Sequence, residues 1–450
     1  MKRKGKRFYT KENKKTVPVT TQTTETKDTN SAQKAVKSNP KIIDFKERKV
    51  VEPKLKNKSD KVNFQKFQDF YKTNKKNVFL SALIVLVLVL SVVLFTNRDR
   101  LTLSNVKNFF QYGLLNMEAE EHFPLSTNGV VITDGNFTRI DSNLVFASDT
   151  QFVTMNSYGR AIYTRAQSFS NPVLVRASDC DLSLVYNLGG KEFFINTLDS
   201  TIYSGEAEDN ILVADISKDG TYAIVTEKDG YLSKLFVYSS DNKQIYAYSF
   251  ADYYITSVSL DSKGKTAVLS GISAHDGSQI GCVYVLNFTK EEPVLFKEFE
   301  DNILYYVDHL SNNYACIIGE NATYTLNVLT KSFETVEYNS KTLTAFDINT
   351  DTNNFVLSLS RSGDGRMCDI LTFSDSGKLR KTIVTDLEIT SISSYKNRVL
   401  ALSEDKAYLY SKDGMELKNV DAGLDPHAVV LYSTTDAYVL GVSEIRRIDL

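Results

Sequence analysis

The chain has 450 residues, and 42% of them are hydrophobic, which is enough apolar surface for a sizeable folded core. Its formal charge of −2 conceals a strong asymmetry: residues 1–77 carry 23 Lys or Arg against 8 Asp or Glu (+15), and the remaining residues carry −17. Such a split on the two sides of one apolar stretch is what membrane topology produces. The acidic charge of residues 122–450, −16, also argues against their binding DNA or another polyanion.

Residues 1–60 are predicted to be a disordered basic tail in the cytoplasm. They are rich in Lys and Thr and almost free of aromatic residues, so they cannot bury enough apolar surface to offset chain entropy. The charge fits the anionic lipid of the inner leaflet, which is the simpler partner because the tail is tethered there. A specific protein or nucleic-acid partner is the alternative, and nucleic acid is disfavoured.

Residues 61–77 are predicted to form a juxtamembrane amphipathic helix on the inner leaflet. Phe64, Phe67, Phe70 and Tyr71 recur at helical spacing with Lys residues between them. The alternative is an irregular flank that only helps to set the topology.

Residues Val78–Phe95 are predicted to cross the bilayer as one helix. These 18 residues carry no charge, and at 1.5 Å per residue the helix would span roughly 27 Å, close to the hydrocarbon thickness. The residues singled out for the span are Val78, Phe79, Leu80, Leu83, Leu86, Leu90, Leu94 and Phe95. A buried core helix and a cleaved signal peptide are the alternatives. Charges bracket the run, however, and it lies far from the N-terminus with no small-x-small cleavage site after it.

The orientation of the span follows from the flanking charges. More Lys and Arg residues precede the span than follow it, so the N-terminus is predicted to be cytoplasmic and the C-terminal domain extracytoplasmic, in a single-pass protein of the cell membrane.

Residues 96–122 are predicted to form a helical stalk, because Val106, Phe109, Phe110 and Leu114 follow helical spacing after Ser104, a favourable N-cap residue.

Residues 123–450 are predicted to form a β-propeller. Eight segments combine a polar turn with a β-branched run and begin about 42 residues apart on average. They are SNLVFAS (142–148), DLSLVYNL (181–188), DGTYAIVT (219–226), KGKTAVLSG (263–271), NNYACIIG (312–319), TNNFVLSLS (352–360), KNRVLALS (396–403) and TDAYVLGVS (435–443). Units of this length with four short strands are typical of propeller blades. The predicted fold class is therefore all-β with eight blades, or seven if one repeat is miscounted.

The strands within a blade are predicted to be joined by tight turns, and the ring to be closed by both ends of the domain. Asp-Gly pairs such as Asp219-Gly220 and Asp229-Gly230 supply the positive φ values that hairpins demand. The chain ends after only three strands of the last blade, which would leave an exposed strand edge. Residues 129–133 (GVVIT) are predicted to supply the missing outer strand.

The repeat resembles the broad propeller superfamily that includes WD-repeat and quinoprotein-type propellers. The chain contains no Trp, so it lacks the Trp-Asp dipeptide of the first group and the tryptophan docking motifs of the second. In its layout over about residues 60–450, the chain is similar to a family of uncharacterised Gram-positive bacterial membrane proteins. These pair a basic tail and one helix with an extracytoplasmic propeller of unknown function, and the resemblance carries no catalytic residue across.

Cysteine and histidine give no metal or redox motif. Cys180, Cys282, Cys316 and Cys368 lie in apolar strand-like contexts without a C-x-x-C spacing, so free core thiols are expected, with one or two disulfides as the alternative. The four histidines, none of which has a His or Cys partner at metal-ligand spacing, are His122, His275, His309 and His427. No cofactor is predicted.

Aspartates recur at the blade turns and are the main candidates for chemistry. They are Asp179, Asp181, Asp215, Asp219, Asp261, Asp347, Asp351 and Asp436. Bonds from Asp to turn N–H groups are the expected role. The functional alternative is Ca²⁺ held by carboxylates at the channel mouth, for which residues 347–354 (DINTDTNN) are the nearest match, although they lack the Gly and Glu of an EF-hand loop.

These observations support three hypotheses of function. The leading one is a non-enzymatic interaction or scaffold module of the cell envelope, whose propeller binds a protein or an envelope polymer. The second is a sensor that relays ligand binding in the propeller to the cytoplasmic tail. The third is a glycan-acting enzyme that uses carboxylates at the channel mouth.

Overall fold

A computed structural model describes residues 122–127, 129–275, 277–363 and 365–450. The predicted tail, juxtamembrane helix and span (Val78 to Phe95) lie outside the described residues, as does the predicted stalk up to residue 121. Within the described ranges, no helix is long and apolar enough to cross a membrane.

The described residues form eight four-stranded antiparallel sheets, which are the blades of a propeller. In each blade the strands are given from the innermost to the outermost. Blade 1 consists of Phe137–Ile140, Asn143–Ala147, Gln151–Met155 and Ala161–Ala166, and blade 2 of Pro172–Arg176, Ser183–Asn187, Glu192–Asn196 and Thr201–Glu206. Blade 3 consists of Ile211–Ile216, Tyr222–Lys228, Tyr231–Tyr238 and Gln244–Phe250, and blade 4 of Tyr254–Leu260, Thr266–His275, Ser278–Asn287 and Leu295–Glu300. Blade 5 consists of Leu304–Ser311, Tyr314–Gly319, Ala322–Asn327 and Ser332–Glu337, and blade 6 of Thr342–Asn349, Asn354–Ser360, Cys368–Phe373 and Leu379–Val384. Blade 7 consists of Ser391–Tyr395, Arg398–Ser403, Lys406–Ser411 and Glu416–Asp421, and blade 8 of Pro426–Leu431, Asp436–Gly441, Glu444–Asp449 and Leu125–Ser126. The prediction of an eight-bladed all-β propeller is confirmed, and the seven-bladed alternative is wrong.

Both ends of the described chain build blade 8, as expected, but the predicted closing strand is wrong. Leu125–Ser126 pairs antiparallel with Glu444–Asp449 as the outermost strand, whereas residues 129–133 form no strand. The chain turns immediately after the pairing, because the Val130 N–H bonds the Thr127 carbonyl (3.0 Å) and Gly129 has a φ of +80°. The apolar run that follows the turn leads towards the 3-10 turn Asp134–Asn136 instead.

The second strand of each blade explains why the repeat was visible in the sequence. All seven residues of Asn354–Ser360 are buried, as are all five of Asn143–Ala147. A strand buried on both faces is apolar almost throughout. The outermost strand Thr201–Glu206 instead alternates between half-buried and exposed residues, because only one of its faces packs on a neighbour.

Adjacent blades share apolar clusters. Leu310 of blade 5 packs with Phe355 and Leu357 of blade 6, and all three are at most 1% exposed. The Phe355 ring stacks on Phe373 with their centroids 4.2 Å apart. Core packing therefore runs around the ring rather than through one centre.

Tight turns follow the predicted Asp-Gly chemistry with one exception. Gly220 and Gly230 have φ values of +85° and +81°, which a residue with a Cβ rarely adopts. Asp134-Gly135 lies instead in the 3-10 turn ahead of blade 1.

The connections of the ring project from two faces with different charge. Each blade is an antiparallel meander that begins at its innermost strand, so its connections alternate between the faces. The turns from the second to the third strand and the loops to the next blade form the acidic face. In the described residues these contain 13 Asp or Glu and 4 Lys or Arg, a net charge of −9. The remaining turns form the opposite face, which we call the strut face because it includes residues 350–353, part of the strut described below. In the described residues these turns contain 12 Asp or Glu and 10 Lys or Arg, a net charge of −2.

Candidate functional site

The candidate site is the central channel, a cavity of about 1000 Å³ bounded by the innermost strands of all eight blades. Each innermost strand is the edge of its sheet, so one row of its N–H and C=O groups has no partner within the blade. Those groups need hydrogen bonds from another part of the chain.

Side chains of one blade bind the free backbone groups of the next. The Asp215 Oδ2 accepts a hydrogen bond from the Leu260 N–H (2.6 Å), and the Asp347 Oδ2 accepts bonds from the N–H (2.7 Å) and hydroxyl (2.6 Å) of Ser394. Further bonds of this kind join Asn136 to Leu174, Ser257 to Val307, Ser391 to Val429 and Ser393 to Leu431. Much of the polarity of the channel therefore holds blades together.

Asp351 spans the channel mouth. It lies in the turn after the innermost strand of blade 6, and its carboxylate accepts hydrogen bonds from the Arg176 Nη1 and the Asp179 N–H, both at 2.9 Å. These partners belong to blade 2, which lies opposite blade 6 in an eight-bladed ring. The Asp351 Oδ2 also lies 3.3 Å from the Arg139 Nη2 of blade 1. We call residues 350–353 with these two arginines the strut.

Arg139 connects the strut to blades 7 and 8. Its Nε donates a hydrogen bond to the Leu431 carbonyl of blade 8 (2.8 Å), and its guanidinium lies 4.9 Å from the centre of the Tyr395 ring of blade 7. Burial and the neighbouring Arg176 lower the pKa of Arg139. Burial alone would raise the pKa of Asp351, but the charges of Arg176 and Arg139, with the hydrogen bonds from Arg176 and the Asp179 N–H, outweigh it and hold the pKa at about 2.

The strut divides the mouth of the channel into two chambers. Arg139, Arg176 and Asp179 line both the large cavity and a second one of about 450 Å³. The second chamber lies over blades 7, 8, 1 and 2 and presents Tyr158 and Tyr432.

Two carboxyl groups of the large chamber hold protons unusually tightly. Burial and the charge of Asp308 raise the pKa of Asp215 to about 8. Burial raises the pKa of Asp308 to about 6, against hydrogen bonds from Ser259 and Tyr306 and the charge of Arg176. They flank the same strand end, because Asp308 bonds the Ser259 hydroxyl (3.0 Å) and Asp215 bonds the next residue. Such perturbed carboxyls in a cavity mark candidate sites.

An aromatic pair faces the same chamber. Tyr306 and Phe346 come from adjacent blades, their ring centroids are 5.5 Å apart, and they are 38% and 36% exposed. The two rings are inclined at 45° to each other and offer an apolar surface beside the carboxyls of Asp215 and Asp308, an arrangement that suits a ligand with both apolar and hydroxyl-bearing faces.

A serine–histidine contact near Asp308 does not have the features of a nucleophile and its base. The Ser259 Oγ lies 3.0 Å from the His309 Nδ1, but the same oxygen accepts the His309 N–H and bonds Asp308. Ser259 is 2% exposed, and its hydroxyl is occupied by these bonds within the protein. Burial lowers the pKa of His309 to about 4.

The other histidines are dispersed over the fold. The His122 N–H bonds the Tyr158 carbonyl on the strut face (2.9 Å), and the His427 Nδ1 lies 2.5 Å from the Asp134 carboxylate. His275 ends the second strand of blade 4. The four cysteines are unpaired, and three of them are buried.

Five of the eight predicted aspartates divide into two kinds. Asp219 and Asp261 bind N–H groups of their own turns, at 3.0 Å from Thr221 and 2.7 Å from Thr266, as turn chemistry requires. Asp215, Asp347 and Asp351 instead bind other blades. Across residues 122–450, apart from positions 128, 276 and 364, no three His, Cys, Asp or Glu side chains converge as metal ligands.

Sequence reasoning missed five residues of the channel: Arg139, Arg176, Asp308, Tyr306 and Phe346. A signal existed for the arginines, because each belongs to a short strand that is otherwise mostly apolar, FTRI or PVLVR. An arginine there must either face a polar channel or be paired. No comparable signal distinguishes Tyr306 and Phe346 among 25 Tyr and 25 Phe.

Comparison with known proteins supports the fold. Residues 125–450 match a family of unknown function, DUF5711. The C-terminal WD40 domain of Sif2 is 11% identical, with a TM-score of 0.53 over 73% of this chain and 97% of that one. A eukaryotic initiation factor is 9% identical, with a TM-score of 0.50 over 75% and 89%. BamB from Moraxella catarrhalis is 11% identical, with a TM-score of 0.47 over 73% and 100%. No curated protein sequence matches significantly.

Proposed function

The chain belongs to the DUF5711 family of unknown function, and from that premise we propose that it is a membrane-anchored protein whose extracytoplasmic propeller binds other proteins of the cell envelope without catalysing a reaction. The prediction of the anchor rests on the uncharged run Val78–Phe95 and the basic residues that precede it.

The observation that carries this proposal is the contrast between channel and surface. The carboxylates of Asp347 and Asp351 are occupied by bonds that join blades. On the acidic face, by contrast, Val131, Leu424 and Val442 are 73%, 69% and 69% exposed. Exposed apolar side chains grouped on one face favour an interaction surface.

Cross-linking in cells tests the interaction role. The full chain is compared with a chain that ends at residue 122 and so keeps the tail, the predicted span and the predicted stalk. We expect defined envelope proteins to be cross-linked to the full chain alone. Recovery of the same proteins with both chains, or of none with the full chain, would contradict the proposal.

Cysteine labelling tests the topology. Thr23→Cys in the tail and Asp413→Cys in an exposed turn are compared in a Cys180→Ser background, using a maleimide that cannot cross membranes. Labelling of intact cells is expected at position 413 alone. Labelling at position 23 alone would reverse the proposed orientation, and labelling of neither position in intact cells would place the propeller inside.

A glycan-acting enzyme is the second candidate, and the chamber of Asp215 and Asp308 favours it. A carboxyl that keeps its proton near neutral pH serves as a general acid. Hydrolysis of cell-wall oligosaccharides that Asp308→Asn abolishes, while the protein stays folded, would establish this candidate over the first. The sensor hypothesis depends on a readout by residues 1–60, outside the described residues, and stays a prediction.

A further inference from the structure

Three exposed aliphatic side chains lie on adjoining connections of the acidic face, at the blade that closes the ring. Val131, Leu424 and Val442 lie in three different connections and are the most exposed large apolar residues of that face among the described residues. We call these three residues the closing patch.

Hydrogen bonds hold the three connections together. The Val442 N–H bonds the Asp425 carbonyl (3.2 Å), and the Thr127 hydroxyl bonds the Val442 carbonyl (3.3 Å). Thr127 in turn begins the turn that leads to Val131. A Cβ on Gly441 would lie 2.7 Å from the Leu424 carbonyl oxygen. The end of the strand Asp436–Gly441 therefore lies so close to the loop of Leu424 that only a glycine fits there. The patch is therefore a preformed surface, and little entropy is lost when a partner covers it.

Carboxylates border the closing patch. Asp421 and Asp425 flank Leu424 in the same loop and are exposed. The turn that contains Glu404 and Asp405 is joined to this loop by the bond from the Ala422 N–H to the Asp405 carbonyl (2.7 Å). An apolar centre with a charged border is the usual anatomy of a protein interface.

Charge decides among the occupants of such a surface. The acidic face as a whole carries −9 in the described residues, so it repels both an anionic lipid surface and the same face of a second copy. It attracts a partner that presents Lys or Arg around an apolar anchor.

We propose that the closing patch binds a basic amphipathic segment of a partner protein, whose apolar side chains cover Val131, Leu424 and Val442 while its cations meet the bordering carboxylates. This inference rests on the proposed interaction role and names the chemistry of the partner.

The experiment measures binding of three labelled 14-residue probe peptides to the full chain in nanodiscs of zwitterionic lipid. The peptides alternate Lys with Leu at helical spacing, Glu with Leu, or Lys with Ser. Fluorescence anisotropy is recorded with empty nanodiscs as the blank. The Lys/Leu peptide is expected to bind, and the other two to bind at least tenfold more weakly, because each lacks one of the two complementary features.

Variants locate the binding site. Leu424→Ser and Val442→Ser are each expected to weaken Lys/Leu binding about five- to tenfold. Asp425→Asn is expected to weaken it less and to reduce its salt dependence. The matched control is Leu329→Ser, which removes an equally exposed side chain (72%) from the strut face and is expected to leave binding unchanged.

Several outcomes would overturn the inference. These are failure of the Lys/Leu peptide to bind, equal binding of the Lys/Ser peptide, or equal effects of Leu424→Ser and Leu329→Ser. Self-association of the full chain that Val442→Ser abolishes would identify a second copy as the occupant instead. If envelope proteins are cross-linked in cells but the peptide does not bind, only this inference falls and the interaction role stands.

Discussion

The strut makes a quantitative prediction about stability. The Asp351 side chain is 15% exposed, that of Arg139 is 5% exposed, and the pKa of Asp351 falls from 3.8 to about 2 on folding. A shift of this size corresponds to about 2 kcal/mol of stability at neutral pH. Removing one partner of a buried ion pair costs more than the shift alone, about 3–5 kcal/mol, because the remaining charge stays buried. We therefore expect Asp351→Asn to lower the free energy of unfolding by about 3–5 kcal/mol at pH 7.

The pH dependence gives the prediction a sign. Because folding lowers the pKa of Asp351, its contribution is present above pH 4 and is lost as the pH falls towards 2. The stability difference between the natural chain and Asp351→Asn should therefore shrink over this interval. Other carboxylates titrate there as well, but they do so equally in both chains and cancel in the difference.

Urea unfolding followed by tyrosine fluorescence measures both effects on the full chain, which has 25 Tyr and no Trp. Asp413→Asn is the matched control, since it removes an Arg380 partner at 2.8 Å from an exposed pair and is expected to cost less than about 1 kcal/mol. If Asp351→Asn costs no more than Asp413→Asn, or if its effect is the same at pH 2 and pH 7, the reasoning about the strut is refuted.

Three further predictions concern the channel, the core and the ring closure. Folding raises the pKa of Asp215 to about 8, so its burial costs stability increasingly as the pH rises above 4; Asp215→Asn, which keeps the acceptor oxygen, should be more stable than the natural chain at pH 9 and equally stable at pH 4 in the same urea assay. Phe355→Ala removes a ring that is 0% exposed and stacked on Phe373, and thermal unfolding should show a loss of about 3–5 kcal/mol. A chain of residues 128–450 lacks the closing strand and should aggregate by its free edge in light scattering, whereas residues 122–450 should stay monomeric.

The repeat was readable because it is a local property. Second strands such as Asn354–Ser360 are buried along their whole length and carry a run of apolar residues, and Asp-Gly turns such as Asp219-Gly220 mark where hairpins fold. Both signals lie within a few residues of each other in the sequence, so counting them predicts the number of blades. Closure of the ring by both ends of the domain followed from the same count.

The choice of closing strand was not a local property, and the prediction failed there. Residues 129–133 have the more strand-like composition, but Leu125–Ser126 lies beside the third strand of blade 8 once the ring is complete. The channel aspartates show the same limit. Their residue type indicated backbone binding, yet Asp215 and Asp347 bind residues 45 and 47 positions away.

The sequence by itself determined the uncharged run Val78–Phe95, the charge contrast around it, the strand-rich repeat and its eight units, because composition and periodicity are written along the chain. Only the tertiary structure decided the strut, the two chambers and the closing patch. Asp351 and Arg176 are 175 residues apart in the sequence, and the ring brings them within 2.9 Å because blades 2 and 6 face each other across the channel. Burial and the neighbouring charges at that point then shift the pKa values of Asp351 and Arg139, which residue type alone does not specify.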